Sequence, residues 1–244
     1  MLILGIDSSA VSVSAAVCGT GEHTRVIAEG FLNNKITHSQ TLMPLVQSLL
    51  DNSKTALPDI DVFAVSAGPG SFTGLRIGVS AVKGMAYALG KPCREVSTLH
   101  AMAYNFQSYK GIVCAVMDAR VNQVYNALFE IKDGIVKRLC DDRALMIPEL
   151  KAELDEKYPD RKIMLCGDGA ELCSGKFADP RILLSPAPQR FQNGTGVCMA
   201  AAEYPDINAA ALMPKYLRLP QAERERLAKE KSTGSGAGTH AHQD

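Results

Sequence analysis

The sequence predicts an α/β fold built from a duplicated unit, two lobes each reading βββαβα around a mixed sheet, with a cleft between them. Three observations predict it. An apolar strand ending in an aspartate occurs twice, LILGID to Asp7 and GIVCAVMD to Asp118. An alternating, β-branched segment follows each, Val11 to Cys18 and Gln123 to Ile131. Each fourth strand runs into glycines, as VFAVSAGPG and KIMLCGDGA. Residue identity between the halves is low, so the order of elements carries the argument. Stacked α/β lobes of this kind place a site in the cleft between them.

The elements follow in order. LILGID, Val11–Cys18 and Thr24–Phe31 are three strands joined by tight turns, a meander. HSQTLMPLVQSLLD then changes period: Leu42, Leu45, Val46 and Leu49 recur at helical spacing. Pro44 has no N–H to give, so Thr41 is the expected N-cap, or else the helix kinks at Pro44. DVFAVSAG reads as a buried strand, Thr73–Leu89 as a helix, CREV as a short strand, and a further helix runs from about Leu99. In the second half, GIVKRL is a third strand after the Asp133-Gly134 turn and IPELKAELDE is a helix. The expected division is a first lobe over 1–104, a smaller second lobe over 105–218 whose last helix is free to pack on either lobe, and a final segment over 219–244. In that segment QAERERLAKEK has the charge pattern of a solvated helix, and STGSGAGTHAHQD reads as a disordered tail with the look of an expression artefact.

Composition narrows the function. With 46% hydrophobic residues in 244, a sizeable core can be buried. Twenty-six basic residues balance 26 acidic ones, which argues against a stand-alone nucleic-acid binder. Seven cysteines lie scattered without C-x-x-C spacing, which suits a reduced cytosol. The N-terminus lacks the basic start and long apolar run of a signal peptide or membrane span, so a cytoplasmic protein is expected.

SAGPGSFTGLRIGVSA, Ser66 to Ala81, is the densest signal. It lacks the Lys-Ser/Thr of a P-loop, and Gly68, Gly70 and Gly74 are spaced one residue too long for a dinucleotide turn. A generic anion-holding strand-to-helix loop survives, and so does a plain turn capped by Ser71 or Thr73. Asp7 and Asp118 close apolar strands facing the expected cleft, either to hold a metal–phosphate or to cap turns. Asp7, Ser8, Gly68, Gly70, Ser71 and Asp118 are therefore the candidate vestigial phosphate site. His38 and His100 are not spaced as ligands, and His240 and His242 lie in the tail, so no metal set is expected. The helix after the loop is apolar around most of its circumference. Leu75, Ile77, Val79, Val82, Met85 and Ala86, with Gly78 allowing close approach, join Leu42, Leu45, Val46 and Leu49 as a candidate partner interface. The plain alternative is that the second lobe covers them.

LGIDSSAVSVSAAV, HSQTLMPLVQSLL, VSAGPGSFTGLRIGVSAVKGMAYALG, VSTLHAMA, MDARVNQVY and KYLR resemble the TsaB (YeaZ) family, over roughly residues 1 to 218. The resemblance implies the actin-like ATPase (ASKHA, ribonuclease H-like) fold. It implies a scaffold without catalysis or cofactor, required for N6-threonylcarbamoyladenosine at A37 of ANN-decoding tRNAs. The partner would be a catalytic, TsaD-like transferase subunit, paired through a bundle of the first two helices of each chain. A small TsaE-like P-loop ATPase would join the pair, tRNA would be met through the complex, and the chain alone would form homodimers. The catalytic relative holds a metal through H-x-x-x-H; in the corresponding helix here His100 is followed four residues later by Tyr104. The rival reading is an independent ATP-binding enzyme of the actin and sugar-kinase superfold using Asp7, Asp118 and Gly68–Gly74, or a glycoprotease-like peptidase.

Overall fold

The structure is a computed structural model and describes residues 1–21, 24–34 and 36–218. The expected charged helix and tail over 219–244 lie outside the described residues. Sheet 1 joins β1 (Leu2–Asp7), β2 (Val13–Gly19), β3 (Arg25–Leu32), β4 (Val62–Gly68) and β5 (Cys93–Ser97) in the order β3-β2-β1-β4-β5. Sheet 2 contains β6 (Gly111–Asp118), β7 (Gln123–Lys132), β8 (Ile135–Arg138), β10 (Ile163–Cys166) and β11 (Ile182–Leu184) in the order β11-β10-β6-β7-β8, with β9 (Arg143–Met146) pairing β7. In each sheet the first strand is antiparallel to the second and parallel to the strand that follows the next helix or helical turn, β4 in sheet 1 and β10 in sheet 2. The pairing is thus repeated, with β9 as an extra strand in the second unit.

The first strand of each sheet is central and covered on both faces, which is why both read as continuous apolar runs. On one face of sheet 1, Leu4, Ile6, Phe63 and Val65 pack against α1 (His38–Ser53) and α2 (Phe72–Leu89). On the other, Ile3, Ala16, Val62 and Ala64 pack against α7 (Gly194–Ala200). Helix α3 (Thr98–Tyr104) carries Leu99 and Met102 onto Val113, Ala115 and Phe129 of sheet 2. The outer face of sheet 2 packs against α4 (Ile147–Lys157) and α5 (Ala170–Phe177). The result is five layers, with α3 and α7 between the sheets. Helix α7 therefore packs on the first sheet although it follows the second in the chain.

Three helix starts differ from expectation. Helix α1 begins at His38 with Thr37 as N-cap, not at Thr41, and continues past Pro44, which lies inside it. Pro44 and Gln40 are both exposed, so water can replace the donor that Pro44 lacks. Helix α2 begins at Phe72, its cap the Ser71 hydroxyl accepting from the Gly74 N–H at 3.2 Å. It ends at Gly90, whose positive φ of 64° closes the last turn. Helix α3 begins at Thr98, with the Ser97 hydroxyl accepting from the His100 N–H at 3.2 Å. The short β9 and β11, together with α6 (Ala187–Arg190), carry too few residues to show a period and were not expected.

Candidate functional site

The glycine loop is packed against its own chain. Gly68 has φ +143°, and a Cβ there would run into the Lys215 carbonyl oxygen. At Gly70 a Cβ would lie 2.5 Å from the Ser9 carbonyl oxygen, and at Gly74 and Gly78 it would collide with Ser8. The Ser71 N–H donates to the Ser9 carbonyl at 2.6 Å, and the Ser8 hydroxyl donates to the Gly74 carbonyl at 2.8 Å. The glycines allow three chain segments to meet; the loop also turns the strand β4 into α2.

Asp7, at the end of β1, is buried beneath this loop. Its Oδ1 accepts from both the N–H and the hydroxyl of Ser9 at 2.9 Å, while Oδ2 has no hydrogen-bond partner in place. Burial pushes the Asp7 carboxyl above its ordinary range, opposed by Ser66 and Ser9. Beside it lies the inter-lobe cleft, about 350 Å³, lined among others by Ser9, Gly70, Ser71, Asp118, Asp168 and Tyr216. Asp168, which the sequence did not single out, is raised to about 6, first by burial, against its hydrogen bond from Gln192, and further by Asp118 and Asp7. Asp118 accepts from the Arg120 N–H at 2.8 Å as an ordinary turn cap. After it, Arg120, Val121 and Asn122 all have positive φ, 66°, 53° and 60°. Three non-glycine residues in this region cost roughly 1–2 kcal/mol each, so the β6–β7 loop stores strain at the cleft wall. Of the sequence-predicted residues, Gly70, Ser71 and Asp118 line this cleft, Gly68 lines a separate cavity, and Asp7 and Ser8 are buried beneath the loop. No group of three or more His, Cys, Asp or Glu among the described residues is placed to hold a metal ion.

The candidate interface residues divide. Leu42, Val46, Leu49, Leu75, Val79, Val82, Met85 and Ala86 are at most 8% exposed, and all but Leu75, which lies near Gly68, belong to the core between α1, α2 and sheet 1. They are not available to a partner, and the reason is plain: a broad apolar stripe on each helix is used by the sheet and by the other helix. Gly78 is buried against Ser8 and Val65. Leu45 and Ile77 are only half-buried. Between the two helices lies an open groove of about 510 Å³ whose walls include Met43, Phe72, Arg76, Ile77, Ser80 and Ala81. Met43 is 46% exposed there. In the sequence, Met43 beside Leu42 widens the apolar stripe of α1.

Helix α3 holds His100 at 4% exposure, its ring stacked on Phe129 at 5.4 Å. Its Nδ1 lies 3.1 Å from the Tyr204 hydroxyl, and the Tyr104 hydroxyl donates to Glu203. Burial, then the nearby Arg138, pushes His100 down to about 4, against the opposite pull of Glu203 and Asp142, so the imidazole is neutral near pH 7.

Comparison with known proteins follows this geometry. The family model for TsaD, tRNA N6-adenosine threonylcarbamoyltransferase, matches residues 26–168. The tRNA threonylcarbamoyladenosine biosynthesis protein TsaB of Bacillus subtilis is 32% identical over 234 residues, spanning 95% of this chain and 100% of that protein. The protein of the same description from Escherichia coli is 34% identical over 63% of this chain and 65% of its own length. Among solved structures, YeaZ from Pseudomonas aeruginosa superposes with a TM-score of 0.73 at 26% identity, over 88% of this chain and 99% of that one. A second Pseudomonas aeruginosa structure, described as similar to the peptidase YeaZ, gives a TM-score of 0.74 at 26% identity over 89% and 99%. These likenesses fit a duplicated actin-like fold.

Proposed function

The chain belongs to the TsaB family of tRNA threonylcarbamoyladenosine biosynthesis proteins, and from that premise we propose that it serves as the non-catalytic subunit of the modification, pairing with a TsaD-like transferase. Its role in forming tRNA threonylcarbamoyladenosine rests on the relatives. The observation that carries the non-catalytic part is helix α3. The resemblance implies that the catalytic relative holds its metal through two histidines four residues apart; here Tyr104 takes the second place and donates to Glu203, and His100 is buried against Phe129. The glycine loop supports the same reading, since its glycines are filled by Ser8, Ser9 and Lys215.

The partner surface we assign is the groove between α1 and α2, entered by Met43 and Ile77, in place of the deeper residues the sequence pointed to. Alone, the chain would cover this groove with a second copy. A TsaE-like ATPase would join the heterodimer, and tRNA would be met through the complex. The proposed setting is the cytoplasm; no described helix is long and apolar enough to cross a membrane. We take residues 1–104 and 105–218 as the two lobes, with α7 lent to the first.

Reconstitution tests this. A transferase subunit, its ATPase, threonylcarbamoyl-adenylate and an ANN-decoding tRNA are combined with and without this chain, and A37 is read by mass spectrometry. Modification is expected only when the chain is present. Met43→Asp is expected to lower it at least tenfold with an unchanged circular dichroism spectrum, because Met43 is exposed in the groove. Val82→Asp is expected to unfold the chain, since Val82 is fully buried. Full modification without the chain would overturn the accessory role. ATP turnover by the chain alone, lost in Asp7→Ala, would overturn the non-catalytic one.

A further inference from the structure

The segment Met213–Arg218 runs as a strap from the first lobe to the second. Along the first lobe, the Lys215 N–H donates to the Ala67 carbonyl at 2.7 Å and the Lys215 ammonium pairs with Glu95 at 2.9 Å. The Met213 N–H donates to Glu95 at 2.9 Å. Tyr216 stacks on Phe72 at 4.6 Å, and its hydroxyl accepts from Arg76 Nε at 3.0 Å. The Arg76 guanidinium itself sits 3.8 Å from the Phe72 ring centre. At the far end Arg218 donates to the Ala119 carbonyl at 3.0 Å, one residue before the strained run Arg120–Asn122 of the second lobe.

Two residues make this strap more than a tether. Phe72 lines both the α1–α2 groove and the cleft. Leu217 lines both the cleft and a second inter-lobe cavity of about 360 Å³ beside Ser97, Arg138 and Asp142. The groove thus shares a wall with the strap, and the strap is the partition of the inter-lobe space.

We propose that Met213–Arg218 is a clasp that couples the α1–α2 groove to the strained β6–β7 loop, so that filling the groove tightens the strap across the cleft. Covering the groove removes water from Arg76 and Phe72, which strengthens the cation–π contact and the Arg76–Tyr216 hydrogen bond. The strap then holds Ala119 more firmly through Arg218. Such coupling is reciprocal, so loosening the strap weakens docking in the groove by the same factor. The identity of the occupant rests on the function proposed above.

Hydrogen exchange on the full chain, free and saturated with the TsaD-like subunit, tests the clasp together with the affinities of two variants. Docking is expected to slow exchange at least threefold over 213–218 and over 119–123. Arg218→Ala, whose side chain does not line the groove, is expected to weaken docking about three- to tenfold with little change in melting temperature. Tyr216→Phe, which keeps the stack and loses the hydrogen bond, is expected to weaken it less. Protection confined to 38–43 and 72–81, with wild-type affinity in both variants, overturns the clasp and leaves the partner assignment standing. Absence of docking altogether overturns both.

Discussion

Asp7 and Asp168 are carboxyls lifted by the same cause, burial beside a cleft, but they differ in what opposes it. Asp7 is opposed by Ser66 and by the N–H and hydroxyl of Ser9, whereas Asp168 is opposed by the Gln192 amide at 3.1 Å and its own backbone N–H. Asp168 is therefore the group whose titration is readable, at about 6. An unfolded aspartate titrates near ~3.9, so the native state binds this proton more tightly than the unfolded chain does. The associated stabilisation is complete below the unfolded value and is lost as pH rises through about 6. At pH 8 the wild type carries a buried carboxylate. Asp168→Asn keeps an oxygen for Gln192 and removes the charge. It is expected to raise stability by about 1–2 kcal/mol at pH 8, allowing for partial solvation, with the gain gone by pH 4. Urea midpoints at the two pH values measure it, and a larger gain at the acidic one would refute the assignment.

At the scale of elements, helix α2 shows what its sequence could tell and what it could not. Its glycines look alike in the chain but face different surroundings. A Cβ on Gly74 would collide with the Ser8 carbonyl oxygen, whereas one on Gly84 would have no neighbour within 4 Å. Gly74→Ala is expected to destabilise by about 2–3 kcal/mol through overpacking, and Gly84→Ala to stabilise by about 0.5–1 kcal/mol through helix propensity. Denaturant melts of the two variants separate the cases, and equal effects would mean that Ser8 yields. The order of strands and helices was legible because apolar runs, alternation and helical spacing are local signals. The terminal aspartates Asp7 and Asp118 were legible for the same reason, as strand ends. What stayed hidden was long-range. No local pattern shows that Lys215 lies against Gly68, or that Asp168 shares the cleft with Asp118. The apolar stripes of α1 and α2 were legible as broad ones, because helical spacing is local. Yet a stripe does not say which of its members the sheet will take, and Leu42, Val46 and Val82 went to the core while Met43 stayed outside.

For the molecule as a whole, the late helix α7 decides how far the first lobe can stand alone. Sheet 1 is finished by residues nearly a hundred positions beyond its last strand. Val197, Cys198, Ala200 and Ala201 cover Ile3, Ala16, Cys18, Val62, Ala64 and Val96. The fit is close, since a Cβ on Gly5 would lie 2.6 Å from both the Cys198 sulfur and the Gly194 carbonyl oxygen. The Gly194 N–H donates to the Ser14 hydroxyl at 3.0 Å, and Cys93 bridges to Ile207 at the sheet's edge. A fragment ending at residue 104 loses all of this and opens the β1–β2 part of that sheet face to water. Burying one aliphatic side chain contributes about 1.5–3 kcal/mol, and a domain's whole margin is about 5–15 kcal/mol. Losing the cover over that face is therefore enough to unfold the fragment. Residues 1–104 alone are expected to show no cooperative melt by calorimetry. The same residues joined by a short flexible linker to 187–218 are expected to regain one, because α7 and the segment to Arg218 then return to sheet 1. A cooperative transition from 1–104 alone would show that sheet 1 folds without α7, and would make the second lobe an appendage where the packing makes it a necessary passage back to the first.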